Sequence, residues 1–187
     1  MRVWMRRLVL GLVLLLSLGI LALWRLAAAL PREHVATSSA HLDPAPERVW
    51  EALTDLERIP EWREGIADIV LLSAPDELPR WRETNDWGVF ELVTLEREPA
   101  RRLVVEAQDP GGQFGGTWTY VLEPEAGGTR LTITERGFIA SRLARVIGHY
   151  VMDPHRTMDI ELRALGTYFG QTVRVEHLAP GPAERSR

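Results

Sequence analysis

Hydrophobic positions along this chain of 187 residues follow three different rhythms, and each predicts a different kind of element. The first is an unbroken run. Leu8 to Trp24, LVLGLVLLLSLGILALW, carries no charge, follows Arg2, Arg6 and Arg7, and is closed by Arg25. At about 1.5 Å per residue it spans roughly 26 Å, close to the hydrocarbon thickness of a bilayer, with Trp4 and Trp24 placed as interfacial anchors. It predicts a membrane-spanning helix within residues 1–30. The competing reading is a cleaved signal peptide with its small-residue site at Ala27-x-Ala29. The length of the run and the intrusion of Arg25 weigh against it. The arginine bias across the run puts the N-terminus in the cytoplasm and the following domain on the non-cytoplasmic face. Only Pro31 to Glu33 separate the run from the next element, a reach of ~10 Å, so the domain is expected against the bilayer surface.

The second rhythm has a period of two. His34 to Leu42 reads as a strand of alternating small and polar residues. Asp43-Pro44-Ala45-Pro46 then opens a helix with Val49, Trp50 and Leu53 on its apolar side, and a short helix or turn follows through Ile59-Pro60-Glu61-Trp62. From Ile66 onward alternation predicts strands at Ala67–Ser73, Arg80–Asn85, Gly88–Glu96, Arg101–Ala107, Gly116–Glu123 and Thr129–Phe138, joined by Pro, Gly, Asn and Asp turns. Such short connections mean hairpins, hence an antiparallel sheet. Leu131, Ile133 and Glu135 share one face of the last strand, and Trp118, Tyr120 and Leu122 share one face of the strand before it.

The third rhythm is helical. Leu143, Ile147, Tyr150 and Val151, then Met158, Leu162, Leu165 and Phe169, form a stripe from Ser141 to Gln171, while Arg142, Arg145, Arg156, Glu161 and Arg163 fall mostly off it. The stripe predicts a long helix whose apolar side faces the hollow of a curved sheet. Pro154 lacks an N–H and clashes with the preceding turn, so a kink or two helices are expected near Asp153. The tail, residues 172–187, reads as disordered.

Composition narrows the functions available. Without cysteine there is no disulfide framework, thiol nucleophile or zinc-thiolate site. All 22 basic residues are arginine, and formal charge is −4. Four of those arginines precede residue 31, where there are no acids, which leaves −8 for the remainder. An acidic domain with no basic patch argues against nucleic acid. DPGGQFGG leads into a strand and has no following Lys-Ser/Thr, so it is a hairpin, with Phe114 at its end, and not a phosphate loop.

The candidate site is the space between sheet and helix. Glu135, drawn inward with its apolar strand neighbours, is the first candidate, either to hold a polar head group or to act as a base. Trp81, Phe90, Trp118 and Tyr120 supply aromatic area from the sheet, and Met158 and Leu162 line the space from the helix. His149, Asp153 and His155 cluster around the helix break. Pro154 spoils their spacing as metal ligands and no HExxH pattern is present, so no metal site is assigned and His149 is kept as a pocket residue.

Three local stretches also carry a resemblance. Ala45-Pro46-Glu47-Arg48-Val49-Trp50 with Leu53-Thr54-Asp55, Pro60 and Trp62 resembles the opening of the polyketide cyclase/START-like (SRPBCC, Bet v 1-like) superfamily. Glu98-Pro99-Ala100-Arg101-Arg102-Leu103 and Gly127-Gly128-Thr129-Arg130-Leu131-Thr132 are similar to two of its later junctions. The resemblance covers residues 34–171. It implies an α+β helix-grip fold, a curved antiparallel sheet wrapped round a long C-terminal helix, here preceded by one transmembrane helix. It further implies a cavity that commonly holds an apolar small molecule or lipid. The departures are the N-terminal anchor and Pro154. The expected function is membrane-anchored, non-catalytic binding of an apolar or amphipathic molecule or lipid, with no cofactor. The alternatives are a cyclase, dehydratase or hydrolase using Glu135 and His149, or a protein-interaction module.

Overall fold

The computed structural model describes residues 2–179. It opens with one long helix, α1, Arg2–Ala29. From Trp4 to Ala29 this helix is long and apolar enough to cross a membrane. Then follow β1 (Glu33–Leu42), α2 (Pro46–Thr54), α3 (Ile59–Trp62), β2 (Ile66–Leu71), β3 (Arg80–Asn85), β4 (Gly88–Glu98), β5 (Arg102–Gln108), β6 (Phe114–Glu125) and β7 (Gly128–Ile139). The chain continues through α4 (Arg142–Val151), α5 (Arg156–Tyr168) and β8 (Glu176–Leu178).

The eight strands form one sheet in the order β2-β3-β4-β5-β6-β7-β1-β8, every pairing antiparallel. Six hairpin-linked strands run as a meander, and β1 joins its far end beside β7. Register fixes which side chains share the inner face. Val105 stands opposite Trp118, Trp118 opposite Glu135, and Glu135 opposite Ala36. A neighbouring row runs Leu103, Tyr120, Ile133 and Ser38. Because the side-chain period is two, one anchored row settles the orientation of all the others.

Pro46 sits in the first turn of α2, where its missing N–H leaves no helical bond unmade. Val49, Ala52 and Leu53 are buried beneath that helix, and α3 is tied to it by the Trp62 indole N–H, which donates to the Ala52 carbonyl at 3.2 Å. Met158, Leu162 and Leu165 of α5 are fully buried against Leu42, Leu131 and Ile133 of the sheet. Each such side chain contributes about 1.5–3 kcal/mol by leaving water.

The long helix divides into α4 and α5 at Met152 to His155, around Pro154, as expected. Three readings from the sequence change here. The apolar stripe of α4 does not face the sheet: Leu143, Ile147, Tyr150 and Val151 are all exposed, whereas Arg145 is buried. Glu161, read as facing water, is buried too. Finally, part of the tail is ordered: Glu176–Leu178 pair with Thr37 to Ser39 of β1 and give that strand a second neighbour. Residues 180–187 of the tail lie outside the described residues.

Candidate functional site

The concave side of the sheet, beneath α5, gathers most of the aromatic and ionisable side chains of the interior. Alternation along β3 sends Trp81, Glu83 and Asn85 inward together. Trp81 and Glu83 are buried. From β6 come Trp118 and Tyr120, from β7 Ile133 and Glu135, and from β1 Ala36 and Ser38. Opposite them α5 presents Met158, Glu161 and Leu162, all buried. Trp118 and Phe90 are only partly buried, so the sandwich is incompletely closed above them.

Polar atoms in this interior form three groups, each with at least one member on α5. In the first, Arg63, just after α3, donates to the Glu83 carboxylate, whose other oxygen accepts from Asn85 Nδ2 at 2.7 Å. Beside them the Tyr120 hydroxyl donates to Glu161 Oε1 at 3.0 Å. Burial pushes the Glu161 carboxyl above the usual carboxylate range. Arg63 and the Tyr120 hydrogen bond pull it back, and the carboxylates of Glu83 and Glu135 push it further up. Tyr120 is raised well above the ordinary phenol range, by burial first and the Glu161 charge second. Burial works against the Arg63 charge, but Glu161 and Glu83 together outweigh it and hold the guanidinium firmly protonated. Two positions before Glu83 on β3, the Trp81 indole nitrogen is buried and finds no partner among the described residues, as does Arg145 Nε on α4. A buried donor without an acceptor costs about 1–3 kcal/mol, so the Trp81 N–H is a hydrogen-bonding position still open on the inner face.

The second group is centred on Glu135. Its carboxylate accepts from Thr157 Oγ1 at 2.8 Å and lies 3.2 Å from His34 Nε2. Gly137 makes room for that pairing, because a Cβ there would fall on the His34 ring, 2.7 Å from Nε2. The third group joins β1, α5 and the tail. The Ser38 hydroxyl donates to Asp159 Oδ1 at 3.0 Å, which leaves its oxygen to accept from His155 Nδ1 at 3.2 Å. Asp159 also meets His177 Nε2 at 3.1 Å and Arg163 at 3.0 Å, and the His155 and His177 rings stack at 3.9 Å.

Of the residues expected in the pocket, Trp81, Phe90, Trp118, Tyr120, Glu135, Met158 and Leu162 all lie on or against this inner face. His149 does not join them. It is exposed on α4 with its ring edge-on to Tyr150 at 4.7 Å, because the whole apolar side of α4 is turned outward. The histidine that meets Glu135 is His34. Nor do His149, Asp153 and His155 converge: Asp153 caps the backbone N–H of His155 at 2.9 Å, and His155 turns to Ser38. Arg63, Glu83, Glu161, Asp159, Ser38 and His177 went unread from sequence. Glu83 was within reach, being two residues from Trp81, and Glu161 lies three from Met158 and four from Leu165. Arg63 and His177 carry no periodic signal.

Two clefts on the surface of the described residues lie elsewhere. One, of about 310 Å³, is lined by His41, Arg130, Gln171 and Arg174, and a second of about 10 Å³ lies between α2 and Tyr168.

A curved antiparallel sheet gripping a C-terminal helix, with ionisable groups held inside, defines a helix-grip domain. The chain belongs to the family described as polyketide cyclase/dehydrase and lipid transport, whose family model matches residues 33–170. Solved structures agree on the fold. The ZhuI aromatase/cyclase from a Streptomyces species superposes with a TM-score of 0.62 at 13% identity, over 74% of this chain and 94% of that one. Protein MLL2253 from Mesorhizobium loti gives a TM-score of 0.54 at 24% identity, over 71% and 93%. The di-domain aromatase/cyclase StfQ of the steffimycin pathway gives 0.59 at 16%, over 74% and 51%. A comparison with curated protein sequences gave no match.

Proposed function

We propose that this protein is a membrane-anchored binder of an amphipathic small molecule or lipid, held between the inner face of the sheet and α5. The observation that carries the reading is the buried, unpartnered Trp81 N–H, on the same inner face of β3 as Glu83. An acceptor atom of a ligand would complete that donor, while Trp118 and Phe90, still partly uncovered, offer apolar area to the rest of the molecule. Membership of a family named for lipid transport as well as for cyclase and dehydrase chemistry supports a ligand of this class. The anchor reading rests on α1, and the arginine bias puts the domain on the non-cytoplasmic side.

Native mass spectrometry of full-length protein released from its own membranes, with extraction of whatever co-purifies, tests the idea. A discrete bound mass is expected, together with its weakening in Trp81→Phe, which keeps the ring and deletes the donor. Protein that is consistently empty and shows no saturable uptake of fluorescent lipid would overturn it.

One observation favours a second, catalytic reading. Glu161 is held above the usual carboxylate range next to a tyrosine and an arginine, a set able to deliver a proton and stabilise a developing oxyanion. Here Glu161 is the general acid and Arg63 the electrostatic partner, in place of Glu135 with His149. Turnover of an extracted ligand by wild-type protein and its loss in Glu161→Gln would establish that reading; binding without chemical change in both would exclude it.

A further inference from the structure

Helix α4 is built inside out for a domain in water. Its one well-buried side chain is Arg145, while Leu143 and Val151 are 63% and 77% exposed, with Ile147, Tyr150 and Met152 open beside them. The inversion has a local cause. Arg145 Nη1 donates at 2.9 Å to the carbonyl of Leu30, one residue past the end of α1, where helix carbonyls have no internal partner and the dipole is negative. Arg142 lays its guanidinium over the Trp24 ring, 4.7 Å from the centroid. Ala27, small and buried, lets the two helices approach. These contacts fix α4 against the last turns of α1, and they leave its apolar side uncovered at the end of a helix whose own large apolar residues are exposed.

From this geometry we propose that α4 is an interfacial helix, whose occupant is the bilayer that α1 crosses. The inference rests on the reading of α1 as a membrane anchor. Trp24 and Arg25 mark the level at which α1 leaves the hydrocarbon, so a helix docked on Trp24 lies at headgroup depth, not out in solution. An apolar stripe flanked by arginines is the composition that beds about 5–10 Å into that boundary. No separate affinity is required, because the tether already holds α4 at the surface.

The chain contains no cysteine, which makes the test direct. Single-cysteine variants of the full-length protein at Leu15, Glu47, Ile147 and Val151 are labelled with an environment-sensitive fluorophore and reconstituted in phosphatidylcholine/phosphatidylglycerol vesicles. Quenching is then read with aqueous iodide and with nitroxide carried on shallow or deep lipid positions. Expected are deep-nitroxide quenching at Leu15, iodide quenching at Glu47, and blue-shifted emission with shallow-nitroxide quenching and loss of iodide access at Ile147 and Val151. Iodide access at Ile147 and Val151 while Leu15 stays lipid-quenched would overturn the α4 proposal and leave the anchor standing. Shielding of both positions from iodide and nitroxide alike would also overturn it, since protein then covers the helix. Iodide access at Leu15 would remove the anchor reading, and this proposal with it.

Discussion

The two arms of the broken C-terminal helix both carry an apolar stripe but turn it in opposite senses, and only α5 carries acidic residues. In α5 the apolar side meets the sheet, and the polar residues that face inward, Thr157, Asp159 and Glu161, each find a counterpart there: Glu135, Ser38 and Tyr120. In α4 the apolar side faces away, and the buried polar residue, Arg145, bonds to the end of the anchor. Amphipathic spacing therefore establishes that a helix has an apolar side, but it is silent on what that side meets. Under the proposal above, a bilayer would offer a second apolar phase, and the arm nearer α1 is the one that leaves its apolar side uncovered.

That contrast can be broken or sharpened by substitution. The largest effect is expected from Leu162→Ala in α5, about 2–5 kcal/mol of lost stability in a denaturant titration, because the side chain is fully buried and leaves a cavity. Asp159→Ala should come next at about 1–3 kcal/mol. It leaves Ser38 without its acceptor inside the fold and releases His177, so hydrogen exchange should rise in β8 more than in β6. Arg145→Gln, which removes a charged donor from the Leu30 carbonyl, should cost about 0.5–1.5 kcal/mol and show as faster proteolysis within residues 142–152. Val151→Ala should stay within about 0.5 kcal/mol in detergent, since the side chain is 77% exposed; an effect as large as that of Leu162→Ala would end the distinction between the arms.

A pH series addresses the interior of α5 separately. Because the Glu161 carboxyl is raised in the folded protein, the unfolded chain loses its proton first. Stability then falls as pH climbs from the ordinary glutamate range through the raised value, and is unaffected by this group below it. Glu161→Gln should flatten that decline in melting temperature between acid and neutral pH, whereas Glu47→Gln, on the exposed side of α2, should leave it in place.

What could be read in advance follows the range of the interactions. Strand positions, the inward turn of Glu135 and the break at Pro154 depend on neighbours two to four residues away, so they are written in local spacing. The pairing of His34 with Glu135 spans 101 positions and that of Ser38 with Asp159 spans 121, and nothing at either end names the other. Arg63 and Glu83 meet only because α3 delivers the chain to the foot of β3. The tail was misread for a related reason: Glu176 to Leu178 have no apolar alternation of their own and become a strand because β1 offers an unpaired edge. His149 is expected in the site from its place beside the helix break, and the outward turn of α4 takes it out.

The placement of β1 between β7 and β8 bears on how the protein carries load. If α1 is the anchor proposed above, any tension on it enters the fold at the start of this strand, with three residues between them. That strand is held by ten residue pairs to β7 and, on its other side, by the short β8 ladder. The tether is thus joined to a strand paired on both sides and not to a free edge of the sheet.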